Sequence, residues 1–316
     1  MGKSFYNANG KLLLTSEYGV LDGALALAIP TRFGQKMEVK QTRKSDLFWK
    51  SYDAKNEEWF SAQVSLYDFS PVKTTDEDKA QYLKKLLKGA VRLNSEFLSK
   101  WNGFDVKTTL GFDKDWGLGS SSSLTYLVAE WAGINPLLLH FQCFNGSGYD
   151  VACAGAELPI TYQLADDTVN YTEVDFVPPF MDKLFFVYLN KKQSSKSAIN
   201  YYLKKAKQKK TLVKKQTQIT ESILKCKSLS KFIELIEQHE AAVSEHLSLE
   251  PVTKTSGFTD FDGGIKSLGA WGGDFILAAT DLSEEAVKAY FNTKGFNTVI
   301  PYQEMIFQAK PVELAE

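Results

Sequence analysis

Ten residues, DWGLGSSSSL from Asp115 to Leu124, hold two glycines and four serines directly ahead of an apolar run. Small residues in that place suit two kinds of chemistry. In one, the unpaired N–H groups of a helix start and the positive end of its dipole receive a phosphate, and the glycines let the anion come close. In the other, a serine merely caps the helix. A flexible linker fits poorly, because Leu124, Leu127, Val128 and Trp131 follow at helical spacing, and Gly133, Asn135 and Pro136 supply a stop. Two better-known glycine loops are excluded. A Walker loop requires Lys where Ser120 follows Gly119. A dinucleotide fingerprint survives only in degraded form at Gly117, Gly119 and Ser122, and the segment PLLLHFQCF around His140 lacks the acidic residue expected at a strand end.

Other reactive side chains are sparse. Cys143, Cys153 and Cys226 are too scattered for a disulfide framework or a zinc site and fit core positions in a reducing compartment. His140, His239 and His246 form no metal-ligating pair; His239 and His246 could share one helix face, without an interleaved carboxylate. The 316 residues are long enough for two domains, and 44% hydrophobic with 24% charged residues is ordinary globular composition. A net charge of −1 gives a nucleic-acid partner no overall support, and the basic run from Lys204 to Lys215 reads as a solvated helix face. No segment reaches the ~20 apolar residues of a membrane helix, and the first residues lack a signal-like apolar run, so a cytoplasmic location is expected.

Strands and helices must position the loop. GKLLLTSEYGVL and ALALAIPT read as two strands joined at Asp22-Gly23, a hairpin signal, and QKMEVKQT, DLFWKSY and EWFSAQVSL as three more. A long helix, capped at Thr75 or Asp76, is expected from TTDEDKAQYLKKLLKGAVRLNSEFLSKW, and FDVKTTLGF returns as a strand that feeds the Gly/Ser loop. After VPPF, KLFFVYLN reads as a buried strand, followed by helices at AINYYLKKAKQ, TQITESILKC and LSKFIELIEQHEAAVSEHL. The tail alternates strand, helix and strand, with EMIFQA as its last strand. The expected class is α+β with two domains joined around residues 170–180.

Three glycine-bearing segments, GKLLLTSEYGVLDG, GLGSSSSL and GIKSLGAWGGDF, occur in an order and at distances that resemble the GHMP kinase family. The resemblance implies that family's two-domain fold. Residues 1–175 would form an N-terminal domain like the second domain of ribosomal protein S5, and residues 176–316 a ferredoxin-like C-terminal domain that completes the substrate site. NGSGYDVACAG, with His140 on the preceding helix, looks most like the phosphomevalonate kinase signature. Ser147, Gly148 and Asp150 alone would fit mevalonate kinases too. Those enzymes carry a metal-binding Glu where this chain has Leu139, which counts against that branch.

The implied chemistry is phosphoryl transfer from ATP with Mg²⁺, in which positioning and charge neutralisation do most of the work. Gly117, Leu118, Gly119, Ser120, Ser121 and Ser122 would cradle the phosphates, with the Ser121 hydroxyl on the metal. Asp150 would deprotonate or orient the acceptor, and Lys11 would balance developing charge. On the acceptor side the resemblance places Glu17, Ser147, Gly148, Lys192, Ser194, Ser195, Lys196, Gly272 and Gly273, serving a small anionic metabolite of the mevalonate type. By residue type alone, Asp150 is equally a turn residue, Lys11 a surface lysine, and KKQSSK a solvated loop. The third motif departs from the family. Leu268 replaces a hydroxyl residue, and Trp271 stands where glycine is usual, so it either reshapes the pocket or turns outward onto the surface. A non-catalytic nucleotide binder is therefore a second expectation.

Overall fold

The computed structural model describes residues 2–99, 102–165, 168–193, 195–205 and 209–307. In chain order the strands are β1 (Lys3–Leu13), β2 (Ala26–Gln41), β3 (Asp46–Tyr52), β4 (Glu58–Ser65), β5 (Pro71–Thr74), β6 (Phe104–Leu110), β7 (Ile160–Ala165), β8 (Thr168–Glu173), β9 (Leu184–Tyr188), β10 (Gly264–Ser267), β11 (Phe275–Ala279) and β12 (Val299–Pro301). The helices are α1 (Glu77–Leu93), α2 (Ser120–Ala132), α3 (Pro136–Cys143), α4 (Tyr149–Ala154), α5 (Ser195–Lys205), α6 (Lys209–Leu224), α7 (Leu229–Leu247), α8 (Val252–Thr255), α9 (Glu284–Thr293) and α10 (Tyr302–Met305). Two compact units interleave along the chain. The first takes Met1–Gly10, Phe33–Lys114 and Leu118–Gly155, and the second Lys11–Arg32, Asp115–Gly117 and Ala156–Glu316.

In the first unit, β5, β4 and β3 pair antiparallel, β3 runs parallel to β6, and β6 pairs antiparallel with the later part of β2. Alternation puts Leu47 and Trp49 of β3, Phe60, Ala62 and Val64 of β4, and Val106 of β6 on the buried face. Helices α1, α2 and α3 contribute Leu83, Leu86, Leu87, Leu127, Val128 and Leu139 to the same core. The start of α1 is set by Asp76, whose carboxylate accepts the Lys79 N–H. Gly89 lets α1 approach α3 closely, since a Cβ there would lie 2.2 Å from the Cys143 sulfur.

In the second unit, the early residues of β2 pair with β7, and β7 with β8. A separate antiparallel sheet has the order β10-β11-β9-β12. With α6 and α7 between β9 and β10, and α9 between β11 and β12, this is the βαββαβ arrangement of a ferredoxin-like fold. Its strands are buried on both faces: every residue of β10 and β11 is inaccessible to solvent. That explains the unbroken apolar run of β11 in place of alternation, while β10 buries Lys266 and Ser267 as well.

The sequence expectations need four corrections. β1 and β2 do pair, but not through a tight turn at Asp22-Gly23. The connection leaves strand conformation at Leu14, makes a short 3-10 turn over Gly19–Asp22, and ends on Gly23 in the left-handed region. Polar side chains in TSEYG find buried partners there, and these outweigh the hairpin propensity. The long helix stops at Leu93 because Asn94 takes an extended conformation. Of EMIFQA, Glu304 and Met305 belong to the helix Tyr302–Met305, which follows Pro301 at its N-cap position, Ile306 makes an isolated bridge to Thr31, and 308–309 lie outside the described residues. Strand β8, unanticipated, carries almost no buried residues, so apolar patterning had nothing to register.

Candidate active site

Helix α2 begins on Gly119, whose left-handed backbone (φ 90°) serves as N-cap without any side-chain hydrogen bond. The serines after it do not cap. Ser122 Oγ donates to the Gly119 carbonyl at 2.9 Å, and Ser123 Oγ to Gln35 Oε1 at 2.7 Å and to the Gly119 carbonyl at 3.0 Å. Thr125 donates to the Ser121 carbonyl at 3.0 Å. The hydroxyls of Ser122, Ser123 and Thr125 thus satisfy carbonyls, no side chain among the described residues caps the first-turn N–H groups, and Ser121 is exposed. Of the two readings of this helix start, the geometry excludes the serine cap.

Three further first-unit residues collect around this helix. Tyr82 of α1 donates its hydroxyl to the Ser121 carbonyl at 3.2 Å and stacks on Phe144 at 4.5 Å. Burial raises its pKa, and the Asp150 charge adds to the rise. Asp150 sits in the first turn of α4, half-buried, with one oxygen on its own Val151 N–H at 3.1 Å. His140 lies against the glycines that precede Asp150: a Cβ on Gly146 would be 3.6 Å from the His140 Nε2 and one on Gly148 3.4 Å from its Cδ2. Burial holds the His140 pKa down, Asp150 pulls it up, and its Nε2 has no hydrogen-bond partner among the described residues. Ser147 is buried beside them, and Leu139 is fully buried in the core.

The second unit holds the other predicted residues. Lys11 Nζ donates to the Gly117 carbonyl at 3.1 Å. Gly117, in the left-handed region at φ 67°, abuts the Asp274 carboxylate, which a Cβ would meet at 2.4 Å. Asp274 accepts the Gln193 N–H at 3.1 Å; burial raises its pKa, while that N–H, Lys11 and Lys192 lower it. Lys192 also pairs with Asp115 at 3.5 Å. Gly272 has φ 87°, and Gly273 leaves room for the Lys191 carbonyl, 2.6 Å from where a Cβ would stand. Ser194 lies outside the described residues, and Ser195 and Lys196 are described only as the backbone of the first turn of α5.

Glu17 is 1% exposed and meets Lys266, itself fully buried, and His239. Burial pushes its pKa up to about 7 against the opposing pull of Lys266. Trp271 neither takes a glycine conformation nor turns outward. At 9% exposure it packs with Tyr18, Tyr202 and Leu247, and its N–H donates to the Tyr18 hydroxyl at 3.2 Å. Its other edge borders a cavity of about 380 Å³ that Lys191, Glu250, Ser267, Gly272 and Phe296 also line.

Sequence reasoning had no site role for Tyr82, Asp274, Lys266 or His239. Tyr82 lies within the apolar spacing of its helix, and Asp274 is marked in the sequence only as the residue ending the third glycine run. Among the described residues no group of three His, Cys, Asp or Glu side chains is placed to hold a metal ion, and no helix is long and apolar enough to cross a membrane. No family model and no curated protein matches the sequence. Solved structures do. Mevalonate kinase of Methanococcus jannaschii superposes with a TM-score of 0.69 at 15% identity, over 95% of this chain and 97% of that one. Streptococcus pneumoniae phosphomevalonate kinase, in complex with phosphomevalonate and AMPPNP, gives 0.68 at 18% identity over 94% and 98%. Lactococcus lactis galactokinase, complexed with galactose, gives 0.67 at 14% identity over 93% and 89%. The strand order, the helix placement and these superpositions agree, and the chain has the GHMP kinase fold.

Proposed function

We propose that the protein is an ATP-dependent small-molecule kinase and that its acceptor is phosphomevalonate. The observation that carries the reading is the start of α2, where glycine replaces a side-chain cap and first-turn N–H groups are left for an anion. Gly117 through Ser122 hold the phosphates. Lys11, a fixed cation on the Gly117 carbonyl, balances charge that builds as the phosphoryl group moves. Asp150 accepts the acceptor's proton or orients it; an acceptor that is already a phosphate anion needs orientation more than a strong base.

Mg²⁺ fits this donor set. It keeps most of its water and phosphate ligands and needs few from protein, so one exposed hydroxyl, Ser121, suffices where no carboxylate cluster exists among the described residues. When bound, it neutralises phosphate charge. Two observations favour phosphomevalonate over mevalonate. Leu139 is a core position with no room for a metal-binding carboxylate, and Lys192 adds a cation beside the Asp274 segment. Ser147, Gly148, Lys192, Ser194, Ser195, Lys196, Gly272 and Gly273 are the proposed acceptor-side set; Glu17, buried against Lys266, is set apart from it. A second reading, a nucleotide binder without turnover, is favoured by Trp271, whose bulk fills the third motif.

One assay separates these. Purified protein with ATP, Mg²⁺ and mevalonate, phosphomevalonate, homoserine or galactose should form ADP fastest with phosphomevalonate. Preference for mevalonate overturns the acceptor and keeps the kinase. ATP binding without ADP formation from any acceptor establishes the binder.

A further inference from the structure

Lys11 and the third glycine segment each lie a few residues along the chain from one buried polar junction. Its members come from four places in the second unit: Thr15 to Tyr18 after β1, Gln216 and Thr220 of α6, His239 and Glu240 of α7, and Lys266 and Ser267 of β10. Lys266 Nζ donates to Glu17 Oε1 and, at 2.8 Å, to the Ser267 carbonyl. His239 Nε2 accepts the Ser16 N–H at 2.8 Å, and Gln216 Nε2 donates to the Glu17 carbonyl at 3.0 Å. Thr220 donates to Thr15 Oγ1 at 2.8 Å, and Thr15 Oγ1 accepts the Leu27 N–H at 2.9 Å. Glu240 accepts both the N–H and the hydroxyl of Ser267, at 3.0 and 2.9 Å.

The backbone around Glu17 shows what the junction is for. Ser16 (φ 67°) and Tyr18 (φ 64°) both have a positive φ, which non-glycine residues avoid. Two such residues flanking one buried carboxylate persist only where partners over-determine them. Here they do: Ser16 is held through His239, Glu17 through Lys266 and Gln216, and Tyr18 through Trp271. Six positions before Glu17 stands Lys11, and eight after Lys266 stands Asp274, the carboxylate whose charge Lys11 feels.

We propose that Glu17, Lys266 and His239 are positioning residues: their buried junction clamps the strained turn after β1 to the strand before the third glycine segment, and so fixes Lys11 against Gly117 and Asp274. The inference rests on the kinase reading for its functional consequence and on geometry alone for the clamp. Because His239 Nε2 already accepts from Ser16, it cannot donate to Glu17 Oε2, 3.4 Å away, and that oxygen has no hydrogen-bond donor among the described residues. Two acceptors facing one another favour a proton on Glu17, which agrees with a carboxyl that titrates near neutrality. The charged or titratable groups facing it are Lys266 from β10, His239 and Glu240 from α7, and its neighbour Tyr18; Lys215 of α6 acts on His239.

Two pH responses of opposite sign follow. Clamping requires ionised Glu17 paired with Lys266, so Lys11 is best fixed above about pH 7. Stability runs the other way. With its folded pKa raised from 4.5 to about 7, Glu17 contributes stability that is fully present below 4.5 and lost as pH rises through 7. A merely structural ion pair would not move activity against stability.

The test reads Lys11 without substrate. Carbon-13 dimethyl labels are placed on the lysines of the full-length protein, and the Lys11 signal is identified by its loss in Lys11→Arg. In the wild-type protein that signal should shift through neutral pH as Glu17 ionises, with a separate acidic step from Asp274. Glu17→Gln, which keeps shape and an acceptor for Lys266, should abolish the neutral step alone. The pair Glu17→Gln with Lys266→Met removes both charges at similar volume and should fold as well as wild type, again without the step. Turnover in Glu17→Gln should fall about tenfold with the KM for ATP unchanged within about threefold. A Lys11 signal indifferent to Glu17→Gln at every pH overturns the clamp, even if phosphoryl transfer is found. A Lys11 signal that follows Glu17 in a protein transferring phosphate to no acceptor sustains the clamp and overturns the kinase.

Discussion

The two loops 117–123 and 268–274 are both glycine-rich and differ in what they leave available. In the first, side-chain hydroxyls turn back to carbonyls and no side chain caps the helix start. In the second, the protein's own atoms take three of the N–H groups. Leu268 donates to Phe275 at 3.1 Å, Trp271 to the Tyr18 hydroxyl at 3.2 Å, and Asp274 to Lys191 at 2.7 Å. Glycine freedom is needed at 269 (φ 66°) and 272 (φ 87°) but not at 271, so a tryptophan is accommodated there and packs inward. A glycine-rich loop is a ligand site only to the extent that its donors lack internal partners. By that measure the first loop is the one we propose for the phosphates, while much of the second serves the fold.

Exchanging the kind of damage tests this contrast. Trp271→Ala, which empties a packed aromatic position, should cost about 3 kcal/mol of unfolding free energy in denaturant melts while ATP affinity stays near wild type. A large loss of ATP affinity with little loss of stability would reverse the assignment of the two loops. Gly119→Val places a β-branched residue at φ 90° and should weaken nucleotide binding by about 2–3 kcal/mol, as read by calorimetry, through displacement of one or two charge-assisted hydrogen bonds. Unchanged affinity there would remove the phosphate-loop assignment. Asp150→Asn should lower turnover roughly 10²-fold with nucleotide affinity almost unaltered, the mark of a group that acts on the acceptor. Lys192→Gln should raise the KM for phosphomevalonate about tenfold and leave that for mevalonate alone, since only the former carries a second anion. Equal effects on both acceptors would show that Lys192 serves Asp115 and Asp274 instead.

Local patterning identified most elements, because amphipathic helices and buried strands write their periods into the chain. The capped start of α1, the apolar β9 and the three helices from α5 to α7 were all legible that way. So were the Gly/Ser loop and its place between β6 and α2. Elements with little buried surface, such as β8, left no period to read. TSEYG was misread as part of a strand and hairpin. Its conformation depends on Gln216, Thr220, His239 and Lys266, which are distant in sequence and carry no local trace.

The chain by itself determined the class of fold and pointed to the loop we propose for phosphate, since both follow from short-range spacing and from the resemblance of three ordered motifs. Tertiary structure alone decided which way the serines turn, that Trp271 faces inward, and that Glu17 meets a buried lysine. Each of these is a choice among partners. A hydroxyl, an indole or a carboxylate has several ways to be satisfied, and only the neighbours brought in by folding determine which one costs least.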